Sequence, residues 1–269
     1  LGSTTDRETL VSWLGDRPTV QPSLPPDNGK RRKKRPGGYL PDPGSDADVD
    51  ATFDPPMRDG RALPPELSYE SLIGPAYDQG RSPHCVAYAA KGLKAYHEWK
   101  SSKARPEFDP DELYARCKEN DGIKSKKGTY IRVAMDVLRH QGMLAKDGNR
   151  YPIASSARLE SVDAIRKALY LQGPVMLGCR IVPEAFYALT PTEIRATNED
   201  EPPSHATLIV GYDDRRRAFR LRNSWGEDWA DCGHCWLPYD YLEKVDPEFT
   251  AWTAVDSPDV QPHPPEAKA

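Results

Sequence analysis

Cys85, His205 and Asn223 are the residues of this chain whose types, order and surroundings suit nucleophilic catalysis. A cysteine attacks only as thiolate, and an ordinary pKa near 8.5 leaves little of it ionised at neutral pH. Two influences lower that pKa, the positive end of a helix and a neighbouring imidazolium. From Gln79 to His84 the chain carries glycine and proline, which disfavour regular structure. Val86, Ala89, Ala90, Leu93 and Tyr96 then recur at helical spacing to about Trp99, so Cys85 is predicted at a helix N-terminus. His205 follows the turn formers Pro202-Pro203-Ser204 and opens the apolar run Ala206 to Val210, which puts its ring on a strand. Asn223 ends the next strand, 18 residues later, and the turn Asp213-Asp214-Arg215 between the two lets their far ends meet. A neutral amide suffices to hold the second ring nitrogen when thiolate and imidazolium balance each other. Trp225, two residues on, is placed to shield that hydrogen bond.

Each of these residues also has a plainer reading. Cysteine is most often a buried structural thiol, a lone histidine on an apolar strand is most often a satisfied core residue, and an asparagine often just ends a strand. Their joint occurrence in this order favours chemistry. Cys232-Gly233-His234-Cys235 is read differently. A redox CxxC belongs at a helix N-terminus and half a metal site needs a second pair, whereas this one leads into an apolar strand, so packing is its reading. His84 is expected to face solvent, and His140 to sit at a helix end.

The elements that must position the triad follow from periodicity. A second helix is predicted over Pro110–Glu119, with Asp109 as cap and Glu112 completing a capping box. A third runs from Tyr130 to Gln141, closed by Gly142, and a fourth begins at Ser161 and ends at Gly173-Pro174. The period then changes, and Val175–Ile181, Thr207–Tyr212, Ala218–Asn223 and Cys235–Leu237 read as strands. Helices first and strands after make an α+β order, a helical lobe followed by a mainly antiparallel one.

Three blocks then carry a resemblance. Gln79-Gly80 with Cys85 six residues after the glutamine, His205-Ala-Thr-Leu-Ile-Val-Gly-Tyr212, and Asn223-Ser-Trp-Gly226 resemble the signatures of the papain-like cysteine peptidases, bacterial-type members included. The trailing Trp229, Gly233 and Trp236-Leu-Pro-Tyr239 agree. The resemblance implies two lobes, the second β-barrel-like, with a groove between them open to water and filled by an extended peptide. It implies an oxyanion hole made by the Gln79 side chain and the Cys85 backbone N–H, and substrate pairing at Gly128-Thr129. Lys124, Lys126 and Lys127 just upstream would favour acidic side chains. Ser82-Pro83-His84 and Val86 depart from the family pattern around the nucleophile and put the cleft rim in question. The leader segment Gly38-Tyr39-Leu40-Pro41-Asp42 resembles the extended stretch preceding bacterial members. The implied activity is peptide-bond hydrolysis through a thioacyl-enzyme. The same triad would serve an acyl transferase or peptide ligase, and a non-catalytic peptide-binding module is the reading from another class.

Composition frames this picture. Eleven of the 27 prolines lie between Asp16 and Pro65, and five more follow Asp246. The expected division is an irregular leader over 1–62, a peptidase domain over 63–256 with helical lobe 63–142 and β lobe 143–256, and a tail over 257–269. Lys30 to Arg35 is a run of six basic residues in a chain of net charge −4, so the body is acidic and nucleic acid is not the expected partner. No stretch of 18 apolar residues suggests a membrane span, and neither a cofactor nor a metal is called for. Five cysteines without a disulfide-framework spacing, and no apolar signal segment, make a cytoplasmic location the expectation. A peptide or protein is the expected partner, and the layout permits the leader to contact the cleft.

Overall fold

The computed structural model describes residues 38–41, 62–123, 125–180 and 204–256; the basic run, most of the leader and the tail lie outside them. Five α-helices are present among these residues: α1 (Glu70–Ile73), α2 (Cys85–Ser102), α3 (Pro110–Asn120), α4 (Ile131–His140) and α5 (Val162–Leu171). The predicted helices are all there, and their caps explain their limits. Asp109 Oδ1 accepts from the N–H groups of Asp111 and Glu112, both at 3.0 Å, and Ser161 Oγ accepts from Ala164 N–H at 3.0 Å. The capping box is only half formed. Asp109 N–H goes to Leu144 O at 2.9 Å, while the Glu112 carboxylate is drawn off by Arg116 and Arg150, whose charge outcompetes a neutral amide.

The strands are β1 (Glu66–Ser68), β2 (Met143–Leu144), β3 (Arg150–Tyr151), β4 (Ser155–Leu159), β5 (Val175–Arg180), β6 (Ser204–Asp213), β7 (Ala218–Arg222), β8 (His234–Pro238) and β9 (Thr250–Val255). β2 pairs with β3, and the rest form one seven-stranded antiparallel sheet in the order β4-β9-β5-β6-β7-β8, with β1 added to the far end of β6. The sheet separates two cores. Met176, Ala206, Leu208, Val210 and Trp252 pack with α2, α3 and α4, whereas Leu177, Cys179, Ile209, Leu221 and Ala251 pack with α5, Trp225 and Trp229. Alternate side chains of each strand therefore enter different cores, which is why these strands read as continuous apolar runs. The result is the α+β, two-lobe arrangement, with α2 lying along β6 at the lobe boundary.

Two polar groups are buried where α2 meets the end of β9. Lys94 is 1% exposed and pairs with Glu98 at 2.5 Å and Asp256 at 2.6 Å. His97, on the next turn, has its Nε2 buried without a hydrogen-bond partner, and burial, reinforced by Lys94 and Lys100, holds its pKa down to about 3. The unfolded chain takes up this proton near pH 6.5 and the folded chain does not. Its contribution to stability is therefore complete above pH 6.5 and falls as pH drops toward 3. Replacing His97 with Phe removes that term. Urea unfolding at pH 8 and pH 5 should show the stability of His97→Phe relative to the native chain improving by about 2 kcal/mol at the lower pH. Equal pH dependence in the two proteins would refute the assignment.

Candidate active site

Cys85 opens α2, and the cap residue His84 provides no side-chain hydrogen bond to the helix end. The first-turn N–H groups are thus left for another acceptor. The Cys85 sulfur takes that role, with the N–H groups of Cys85 and Val86 directed at it, and across the lobe boundary it accepts from Ala206 N–H at 3.4 Å. Ala206 follows His205 in β6, so the sheet delivers the histidine's neighbourhood to the sulfur. His84 does not face solvent as the sequence suggested. Its Nδ1 lies 2.7 Å from Asp111 Oδ1 and its ring stacks on Tyr114 at 3.9 Å, because α3 packs beside α2 and brings its acidic first turn within reach.

The histidine's orientation can be derived. His205 Nε2 lies 2.8 Å from Asn223 Oδ1, and the backbone N–H of Ser224 reaches the same oxygen at 2.8 Å. A backbone N–H can only donate, so the Asn223 atom facing it is the carbonyl oxygen, and His205 Nε2 must carry a proton to bond there. The neutral ring therefore keeps its basic lone pair on Nδ1. Trp225 lies over this pair with its ring 4.9 Å from that of His205, and Trp229 meets Trp225 edge-on at 5.5 Å. The antiparallel pairing of β6 and β7, with Leu208 opposite Arg222, is what sets Asn223 alongside.

Gln79 is fixed at both ends of its amide. Its Oε1 accepts from Ser224 Oγ at 2.5 Å, its Nε2 donates to Ser82 O at 2.7 Å, and its backbone N–H bonds Ser224 O at 2.8 Å. Ser224 thus holds both Gln79 and Asn223. Sequence reasoning passed it over, because a serine between two motif residues carries no signal of its own.

The model for the papain family cysteine proteases matches residues 109–246, which is just over half of the chain. This chain belongs to the papain family. The matched stretch holds His205 and Asn223, and the fold adds Cys85 and Gln79 from outside it. An uncharacterised peptidase C1-like protein of Acanthamoeba polyphaga mimivirus is 25% identical over 231 residues, 72% of this chain and 71% of that protein. Xylellain, a cysteine protease from Xylella fastidiosa, shares the fold with a TM-score of 0.69 at 24% identity, covering 85% of this chain and 98% of that one. Procathepsin B of Trypanosoma congolense has a TM-score of 0.66 at 13% identity, over 83% of this chain and 87% of that structure.

The papain-family cleft is not open here. Cys85 is 0% and His205 1% exposed, against the water-filled groove expected from the sequence. Residues 38–41 lie in it. Leu40 N–H bonds Thr129 O and Thr129 N–H bonds Gly38 O, both at 3.0 Å, making a parallel bridge between Tyr39 and Thr129. Thr129, rather than Gly128, is thus the residue whose backbone pairs with an extended segment. Gly128 serves by allowing approach: at φ +87°, a Cβ there would stand 2.6 Å from Gly38 O. Burial pushes the Cys85 thiol up to about 11, opposed by the N–H groups of Ala206, Gly38, Val86 and Cys85. Burial pulls His205 down to about 4, opposed by Asn223. With the cleft filled, thiol and imidazole are both neutral at pH 7.

All five cysteines are free thiols, and Cys235, up at about 12 through burial, is far from reactive. Among the described residues no group of three His, Cys, Asp or Glu side chains is placed to hold a metal ion. Lys126 and Lys127 are exposed beside Tyr114 and Lys118, in an open cleft of about 440 Å³ next to Thr129.

Lys118 organises the wall of the cleft. Its Nζ donates to Asp121 Oδ2 at 2.7 Å and to the carbonyls of Ile123, Lys126 and Gly128 at 3.1, 2.9 and 3.2 Å. Asp121 in turn accepts from Ile123 N–H at 3.0 Å. Removing the ammonium leaves a buried carboxylate and several carbonyls without their common donor. Lys118→Met should cost about 3 kcal/mol in denaturant unfolding, and the added Asp121→Asn should recover much of that by removing the unpaired charge. Additive losses in the double variant would contradict this account.

Proposed function

We propose that the protein is a cysteine endopeptidase in which Cys85 is the nucleophile, His205 the acid/base and Asn223 the residue that orients it. The arrangement around Asn223 Oδ1 carries this reading, because it leaves the basic lone pair of His205 on Nδ1, one residue along β6 from the Ala206 N–H that reaches a sulfur held by helix N–H groups. Once the cleft is hydrated, Nδ1 takes the thiol proton, and the sulfur adds to the carbonyl carbon of a bound peptide. The developing oxyanion is met by Cys85 N–H and by Gln79 Nε2, which has two hydrogens and spends one on Ser82 O. The imidazolium then protonates the departing amine. A thioester remains, and water, giving its proton to Nδ1, releases the acid and regenerates the thiol. Trp225 protects the orienting hydrogen bond from water throughout.

The deciding experiment pairs substitution with labelling. Cys85→Ala should abolish peptide hydrolysis while leaving the unfolding transition in place, and a peptidyl electrophile should modify Cys85 ahead of Cys117, Cys179, Cys232 and Cys235. Hydrolysis that survives in Cys85→Ala would end the proposal. Gln79→Glu keeps an oxygen for Ser224 but loses the donor, and should lower kcat by about 10²–10³ with little change in KM.

A further inference from the structure

Just upstream of Thr129, the loop carrying Ser125, Lys126 and Lys127 faces Tyr114, Lys118 and Glu119 of α3 across the open cleft of about 440 Å³. The charges around it do not balance. The Lys118 ammonium is already committed to Asp121 and to three carbonyl oxygens. Glu119 is engaged by Arg116 at 3.8 Å. Lys126 and Lys127 are exposed, and among the described residues neither pairs with a carboxylate. The cleft is therefore left with the charge of these two ammonium groups.

The aromatic side of the cleft is held at both ends. The Tyr114 ring stacks on His84 with centroids 3.9 Å apart, and Asp111 fixes His84 through the 2.7 Å contact to Nδ1. The Tyr114 hydroxyl accepts from Gly128 N–H at 3.0 Å, which ties the ring to the residue before Thr129. This is the part played by His84, whose departure from the family pattern put the cleft rim in question. A ring locked in this way is a fixed apolar surface, and the lysine stems add apolar flanks with their charges at the mouth. A side chain that fits has a short apolar stem ending in an anion. Thr129 pairs with an extended segment through its N–H and its carbonyl. The residue so paired turns its side chain to the sheet, as Tyr39 does onto Gly178. Those flanking it turn the other way, and the run Lys126-Lys127-Gly128 leading into Thr129 puts the cleft within reach of one of them.

We propose that this cleft receives a glutamyl side chain of the substrate, with Lys126 and Lys127 taking the carboxylate and the Tyr114 ring its methylenes. Peptides carrying Glu beside the residue paired with Thr129 are then the preferred substrates. Aspartate, a methylene shorter, brings its charge to the lysines only by giving up the ring. The chain's formal charge of −4 repels acidic peptides at long range, so a preference for Glu has to arise locally, at this cleft. The inference rests on the peptidase reading for turnover, and binding to a Cys85→Ala chain tests it apart from that reading.

The test is a positional scan on the full chain, using fluorogenic peptides in which Glu, Gln, Asp or Lys is fixed at each position in turn. One position should favour Glu over Gln by about three- to thirtyfold in kcat/KM, with Asp between them and Lys lowest. That ratio should shrink as sodium chloride is raised from about 0.05 to 0.5 M. In the double variant Lys126→Glu/Lys127→Glu the same position should come to prefer Lys. Lys146→Glu, which reverses an exposed lysine outside the cleft, should keep the preference for Glu. Equal rates for Glu and Gln at every position overturn the proposal, as does a preference for Glu that survives the double reversal. If the native chain cleaves no peptide, the peptidase reading falls, and calorimetry of Glu and Gln peptides with the Cys85→Ala chain decides the pocket. Tighter binding of the Glu peptides upholds it there, and equal or absent binding ends it.

Discussion

The structure turns on one junction, where the N-terminus of α2 meets the start of β6. Neither element would hold its functional group usefully alone. A helix end without a side-chain cap is a set of unsatisfied donors, and a strand end without neighbours is frayed backbone. Here the sulfur of Cys85 absorbs donors from both, including the Ala206 N–H of β6. The two cores packed on either side of the sheet then keep α2 and β6 in register, so a polar contact worth little by itself is placed by apolar packing on each face.

Ser224 plays the corresponding part on the histidine side. One residue, through its N–H, its carbonyl and its hydroxyl, fixes Asn223, the Gln79 backbone and the Gln79 side chain. Asn223 and Gln79 are thereby set on a common support, and a shift of either is a shift of both. Coupling of this kind favours the small geometric tolerance that acyl transfer demands.

How much of this was legible beforehand divides along physical lines. The four main helices announced themselves through periodicity and caps, and Cys85, His205 and Asn223 drew notice through residue type, order and motif. Five strands escaped, β2 and β3 being only two residues each. β1 is three residues long, β4 carries Arg158 among serines, and β9 is buried along nearly its whole length, so Thr-Ala-Trp-Thr-Ala-Val shows no alternation. Lys118 escaped for another reason. On a polar helix a lysine reads as a solvated charge, and only the folded loop reveals four oxygens converging on it. Buried Arg220 and Arg222 were likewise hidden within an apolar-looking strand; their partners Glu70, Asp231 and the carbonyls of Gly74 and Pro75 come from distant sequence.

The pairing of β1 with β6 settles a question of topology for the leader. Downstream of Leu40 the described chain is anchored where Glu66 lies opposite Asp213, so the 38–41 segment is tied to the body on its C-terminal side. Severing the chain among Lys30 to Arg35 would leave Tyr39 still tethered, at an effective concentration on the order of millimolar. A cut between Pro41 and Glu66 would instead sever that tether. The site of a nick, and not merely its occurrence, decides whether the groove empties.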